Sequence, residues 1–350
     1  MYVQKPIVTG KESTMKKILA IIPARSGSKS VVNKNIRLIN GKPMMAYSIE
    51  HAKESKYINR IIVTTDSEEY AAIAREYGAE TPFLRPAELA GDNSLDIEVF
   101  EHALGWLKKE EGYEPDIIVQ LRPTDPIRNP EDIDKMIEMM LEDDTVDAVR
   151  SVALTDTVPH KMWYVGEDNI MEPIMKDIPE AYNMPRQELP KIYHQNGNTD
   201  VLRPRNITEY HSMTGKKIKG YIMSEMYDVD TEADFLRISE CLKIKQGGKI
   251  FVFDIDGVIA QIRKDLSYGE TGPIEEMVKI INELYDLGNR IVLFTARGYV
   301  TGIDWRETTE KQMKEWGVKY HELHMGKPNA DYYVDDKMLS LDFLYKEFGK

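Results

Sequence analysis

The sequence predicts an α/β protein of two domains, each built on a mostly parallel sheet with helices packed against it. Short β-rich runs alternate with helical patterns from Lys17 onward, the pattern of repeated strand–helix–strand units. This alternation is interrupted by the charged, glycine-containing connector Lys243-Ile244-Lys245-Gln246-Gly247-Gly248-Lys249 and then restarts. The length of 350 residues also exceeds what a single hydrophobic core usually sustains.

Taken in order, residues 1–14 are polar, carry Pro6 and Gly10, and precede Met15; they read as a disordered leader. The first domain is expected over 15–243. Its strands are predicted at 18–22, 61–65, 117–121 and 147–152, with helices beginning at Pro43, Glu68 and Pro130 and a last helix from Glu232 to about Leu242. The second domain is expected over 249–350. It starts with a strand at 250–253, followed by a helix over 273–287, a strand at 291–294, a helix running through Lys314 and a strand at 332–334.

Composition narrows the function classes. With 42% hydrophobic and 30% charged residues the chain has the make-up of a water-soluble protein, and its longest apolar runs are far too short to span a bilayer. The N-terminus lacks the pattern of a secretory signal, so a cytoplasmic location is expected. A net charge of −13 opposes general attraction to nucleic acid or anionic lipid; neither is expected as a partner. Cys241 is the sole cysteine; it cannot form an internal disulfide and is expected as a small buried side chain. The seven histidines show no zinc-ligand spacing.

The first predicted strand runs into Pro23-Ala24-Arg25-Ser26-Gly27-Ser28-Lys29. A small-residue turn after a strand can aim backbone N–H groups at phosphate while the two cations neutralise it. The loop is not a Walker A motif, and Ser26-x-x-Lys29 lacks the companion motifs of serine acyl enzymes.

The loop continues into Asn33-Lys34-Asn35 and Gly41-Lys42-Pro43. Thr64-Thr65-Asp66, the stretch Leu84-Arg85-Pro86-Ala87-Glu88-Leu89-Ala90 and Leu121-Arg122-Pro123-Thr124-Asp125-Pro126-Ile127-Arg128 follow. Further on come Pro185-Arg186-Gln187-Glu188, Asn196-Gly197 and Asp228-Val229-Asp230-Thr231. In this order, across nearly all of 16–240, they resemble the signature of the acylneuraminate (CMP-sialic acid type) cytidylyltransferases.

The resemblance implies a Rossmann-like nucleotidyltransferase domain, GT-A-like in type, in which the anomeric hydroxyl of a 2-keto sugar acid attacks the α-phosphate of CTP and pyrophosphate leaves. It implies nucleotide contacts from Ala24, Arg25, Ser26, Gly27, Ser28, Lys29, Lys34, Asn35 and Arg85, with Arg25 and Lys29 as the catalytic cations. Sugar contacts would come from Arg122, Arg186, Gln187 and Asn196. Asp228 and Asp230 alternate on an extended segment, so both face one side and can share Mg²⁺; the competing role for Asp230 is a helix cap. CTP, a 2-keto sugar acid and a homo-oligomeric state are the implied partners. A glycosyltransferase would share the Asp-x-Asp pair but has no need of a triphosphate-gripping loop.

Departures from the family pattern gather toward the acceptor. Arg122 replaces a usual glutamine, Asp125 a serine, and Asn198-Thr199-Asp200-Val201 a usual Ala-Ile-Tyr-Ile. The nucleotide chemistry is therefore better specified than the sugar.

In the second domain, Asp254-Ile255-Asp256-Gly257-Val258 follows a predicted strand. Thr295 ends the next one, Lys327 sits in Gly326-Lys327-Pro328, and Asp335-Asp336 follows the run at 332–334. This ordered set resembles the haloacid-dehalogenase-like (HAD) phosphatases and implies a HAD-like α/β domain acting on a sugar phosphate. Asp254 would be the nucleophile, Asp256 the acid and base, Thr295 and Lys327 the phosphoryl holders, and Asp254, Asp256, Asp335 and Asp336 the Mg²⁺ ligands. Fewer than forty residues separate Asp256 from Thr295, so no large cap is expected.

Overall fold

The computed structural model describes residues 16–155, 157–223, 227–262, 268–333 and 335–349; the expected leader over 1–14 lies outside them. The chain divides into two compact units, the first ending at Ile238 and the second spanning Ser239–Lys350.

The first unit begins with β1 (Ile18–Pro23), the small hairpin β2 (Leu38–Ile39) and β3 (Lys42–Pro43), then α1 (Met44–Glu54), β4 (Arg60–Thr64) and α2 (Glu68–Glu76). It continues through α3 (Asp96–Glu111), β5 (Ile117–Leu121), α4 (Pro130–Leu141) and β6 (Ala148–Leu154). A second hairpin, β7 (Trp163–Val165) and β8 (Met171–Pro173), precedes β9 (Tyr193–Leu202), α5 (Pro204–Thr208), β10 (Ile218–Met223) and α6 (Glu232–Lys245).

Six of these strands form one sheet in the order β10-β6-β9-β5-β1-β4. β1 runs parallel to both β4 and β5, and β10 is parallel to β6. β9 is antiparallel to both its neighbours, β5 and β6; this reversed strand is absent from the sequence expectation. Its Gln195-Asn196-Gly197-Asn198 stretch has no apolar alternation, and buried polar bonds stabilise it instead. Ser151 Oγ donates to the Thr199 carbonyl at 2.9 Å, and the Thr199 N–H donates back to Ser151 Oγ at 3.0 Å.

Strand β1 explains why the sheet is covered on both faces. Ile18, Ala20 and Ile22 pack with Met45 and Ile49 of α1, Ala74 of α2 and Ile133 and Met136 of α4. Leu19 and Ile21 pack on the other face with Val99, Phe100, Ala103 and Leu107 of α3. These five β1 side chains are fully buried, and large aliphatic side chains in such places each stabilise by ~1.5–3 kcal/mol. Helix α3 was not among the expected elements, although its buried residues recur at helical spacing.

The division between units falls inside α6 rather than in the connector after it. The second unit contains β11 (Ile250–Phe253), α7 (Glu275–Asp286), β12 (Arg290–Thr295), α8 (Arg306–Glu315), β13 (Glu322–Met325) and α9 (Leu341–Phe348). Its strands form a parallel sheet in the order β11-β12-β13. The third strand is therefore Glu322–Met325, not 332–334. Leu323 and Met325 pair with Leu293 and Thr295, whereas Tyr332 and Tyr333 are exposed and outside any strand; Val334 lies outside the described residues. Met277, Ile280, Ile281 and Leu284 of α7 form the core with Ile291, Leu293, Leu344 and Phe348. Cys241 is buried, its Sγ 3.3 Å from a Glu347 carboxylate oxygen. Among the described residues no helix is long and apolar enough to cross a membrane.

Candidate active site

Parallel strands open their ligand sites at their carboxyl ends, and β5, β1 and β4 end side by side. The loop after β1 is held by its neighbours. Ala24 donates its N–H to the Thr64 carbonyl at 3.0 Å. Ser26 donates through both N–H and Oγ to the Asp66 carboxylate, at 2.8 and 2.5 Å. Burial opposes the charge on Asp66, but the bonds from Ser26 outweigh it and hold its carboxyl below the usual range. Gly27 supplies a left-handed turn, φ 73°, that side-chain-bearing residues rarely adopt. Asn35 donates to the Arg25 carbonyl at 2.8 Å and closes the loop.

This loop forms one wall of a cavity of about 420 Å³, lined by Arg25, Ser28, Lys29, Lys34, Asn35 and Arg85 together with Asp92, Asp96, Arg122 and Thr124. Six of the nine expected nucleotide contacts thus converge, while Ala24, Ser26 and Gly27 shape the loop behind them. Arg25 and Lys29 both pair with Asp92, at 2.9 and 2.5 Å. Arg85 is buried against Thr64, donating to its carbonyl at 2.5 Å and its hydroxyl at 3.2 Å; burial pushes its guanidinium down to about 10. A cavity with this many cations and half-used donors suits a polyanion.

A second cavity, about 510 Å³, is lined by Arg122, His194, Gln195, Asn196, Gly197, Asp228, Asp230, Asp234 and Arg237. Asn196, one of the expected sugar contacts, lines this cavity. Arg186 and Gln187 are exposed in a short 3-10 turn and line neither cavity. Asp92, Asp96, His194, Gln195 and Arg237 are site features that the sequence reading missed, and Asp66 was read only as part of the Thr64-Thr65-Asp66 stretch, without a role.

Asp228 and Asp230 sit at the second cavity, beside the first. Lys34 links the two, donating to the Val229 carbonyl at 2.7 Å and lying 3.5 Å from Asp230. Burial pushes the Asp228 carboxyl upward, and among the described residues its buried Oδ1 has no hydrogen-bond partner. An orphaned carboxylate oxygen beside a second, exposed carboxylate fits a hard cation that takes its remaining oxygens from a phosphate. Among the described residues no three His, Cys, Asp or Glu side chains gather as a complete cage. Thr231, not Asp230, caps α6: Thr231 Oγ1 accepts from the Asp234 N–H at 3.2 Å, and the Asp234 carboxylate accepts from the Thr231 N–H at 2.9 Å.

The strand ends of the second unit carry their own constellation. Lys327 Nζ lies 2.7 Å from the Asp254 carboxylate, and the Lys327 N–H donates to the Thr295 carbonyl at 3.0 Å. Asp256 is clamped by the buried Arg297, whose Nε reaches both carboxylate oxygens at 3.1 and 2.9 Å and whose Nη2 donates at 2.7 Å. Arg297 is further held by Thr309 and Gln312. Asp335 and Asp336 are exposed; the four expected metal ligands do not gather into a group of three or more, and both oxygens of Asp256 are committed to Arg297. The acids of this unit, as arranged, do not fit a metal centre.

The sheet order, the basic loop after β1 and the adjoining acidic cavity define the first unit as an α/β nucleotidyltransferase fold. The chain belongs to the cytidylyltransferase family, whose model matches residues 19–251. It is 34% identical over 235 residues to post-translational flagellin modification protein B of Campylobacter coli, covering 66% of this chain and 97% of that protein. It is 33% identical to the CMP-N,N'-diacetyllegionaminic acid synthase of Legionella pneumophila, covering 66% of this chain and 98% of that one. A solved CMP:2-keto-3-deoxy-manno-octonic acid synthetase complexed with CTP shares the fold at 16% identity and a TM-score of 0.51, over 65% of this chain and 99% of that chain. Nearly all of the second unit lies beyond the family match.

Proposed function

We propose that the first unit transfers CMP from CTP to the anomeric hydroxyl of a 2-keto sugar acid of the sialic or legionaminic type, releasing pyrophosphate. The observation that carries this reading is the pairing of a cation-lined cavity with an adjoining one that presents Asp228 and Asp230. Arg25, Lys29 and Lys34 would grip the triphosphate, and Asn35 would keep the loop in register. The second cavity would seat the acid with Asn196, Gln195 and His194 around it. Asp228 and Asp230 would hold Mg²⁺, which would offset phosphate charge. Positioning and charge neutralisation are the main requirements of such a transfer. The legionaminic acid synthase among the relatives supports the acceptor class. Pyrophosphate release measured with each nucleoside triphosphate and a panel of 2-keto sugar acids tests the reading. Turnover with CTP and one such acid is expected; turnover with another nucleotide would overturn the CMP assignment.

A second activity is favoured by the Asp254–Lys327 contact of 2.7 Å at adjoining strand ends. We propose that the second unit hydrolyses a sugar phosphate: Asp254 attacks phosphorus as the bond to the sugar oxygen breaks, the sugar leaves with a proton from water, a second water releases phosphate from the aspartyl-phosphate, and Lys327 and Thr295 hold the phosphoryl oxygens. Asp254→Asn in the full chain is expected to abolish phosphate release from sugar phosphates while leaving pyrophosphate release intact. A full chain that releases no phosphate from any sugar phosphate would remove the second activity.

A further inference from the structure

Among the described residues, Arg122 is the one that lines both cavities. Everything around it fixes its place in the common wall. It follows the last residue of β5, and its carbonyl accepts from Ser48 Oγ and from the buried Arg128, each at 3.0 Å. Its Nη2 donates to Asp96 at 3.0 Å, and Gln120 donates to the same Asp96 oxygen at 3.0 Å. Its stem lies over Gly197, where an added Cβ would come within 3.3 Å of Cδ. Asp96 is the first residue of α3, so a rigid element anchors one end of the guanidinium. Nε and Nη1 take no hydrogen bond among the described residues, and the side chain is one-third exposed, at 35%. Its charge is felt by Asp228.

We propose that Arg122 is a catalytic residue of the transfer, a role beyond the acceptor contact that its sequence position implies. The proposal rests on the CMP-transfer reading. If the triphosphate fills one cavity and the acceptor the other, the α-phosphorus must lie between them, within reach of the side chain common to both walls. The acceptor hydroxyl oxygen forms a bond to that phosphorus, and the bond to the bridging oxygen breaks. Pyrophosphate carries away the electron pair, and the hydroxyl proton passes to water in the open cavity. Negative charge on the equatorial oxygens meets a guanidinium with two nitrogens still unused. A glutamine at this position could donate one hydrogen bond but supply no charge. Asp96 is the positioning residue that keeps the fork in the wall.

The test uses the full chain with Mg²⁺, CTP and the acid found active in the panel. Arg122→Gln is expected to lower kcat on the order of 100-fold while the KM for CTP moves by less than about threefold, because the loss falls on the transition state. Asp96→Asn is expected to lower kcat by roughly tenfold with an unchanged thermal midpoint. Arg122→Ala should regain activity when free guanidinium is added, a rescue that a merely structural arginine would not show. Unchanged kcat in Arg122→Gln, or a loss confined to the KM for either substrate, overturns the proposal while leaving the CMP-transfer reading in place. Absence of pyrophosphate release by the unaltered chain overturns both.

Discussion

The Asn198 amide donates to the Asp125 carboxylate across 2.6 Å, with both side chains buried. Each departs from the pattern that the chain otherwise resembles, and the structure makes them partners. Arg128 completes the group, donating to the Asn198 side-chain oxygen at 3.1 Å and to its carbonyl at 2.7 Å. A buried carboxylate would otherwise be costly here, so the two changes are intelligible only together. Asn198→Ala is expected to destabilise by about 1–3 kcal/mol. The loss should shrink in an Asp125→Ser background, where the amide has no carboxylate to satisfy. Additive losses in a double-mutant cycle of chemical denaturation would contradict the coupling.

Asp125 also predicts a pH dependence. Burial pushes its carboxyl up to about 6, so the folded chain binds its proton more tightly than the unfolded chain does. Stability from this group is therefore fully present below the unfolded value, near 4, and is lost as pH rises through about 6. Compared with Asp125→Asn, the unaltered chain should gain on the order of 3 kcal/mol between pH 7 and pH 4. A difference between the two proteins that stays constant over this range would refute the assignment.

Asp66 predicts a loop defect. It accepts both donors of Ser26, and Asp66→Asn removes the charge that makes these bonds strong. The KM for CTP is expected to rise by roughly tenfold, about 1.4 kcal/mol of lost loop order. An unchanged KM would mean that the phosphate loop keeps its shape without this anchor.

Asp92 predicts the opposite sign. It bridges Arg25 and Lys29, the cations a triphosphate needs, and must give them up when the nucleotide binds. Asp92→Asn should lower the KM for CTP severalfold and no more, since exposed ion pairs are weak. A raised KM would show that Asp92 organises the cations rather than competing for them.

The strands β1, β4 and β5 and the loop at Arg25 were legible in the sequence because each is a local pattern: an apolar run, then small residues, then cations. Asp66 and Asp92 were not, because their partners Ser26 and Arg25 lie 40 and 67 positions away and nothing local announces the pairing. β9 escaped because its polar stretch is stabilised by buried hydrogen bonds rather than by apolar alternation. The run at 332–334 has the composition of a strand, yet 322–325 takes the place beside β12. Arg186 and Gln187 were assigned through the family likeness alone, and they line neither cavity.

The central claim, that the two adjoining cavities join CMP to a sugar acid, is tested most directly by identifying the product. Phosphorus NMR of the full chain with Mg²⁺, CTP and the active acid should show pyrophosphate and one new CMP phosphodiester appearing in equal amounts, with both lost in Asp228→Asn. Orthophosphate and CDP as the products, or pyrophosphate with free CMP and no new phosphodiester, would contradict it.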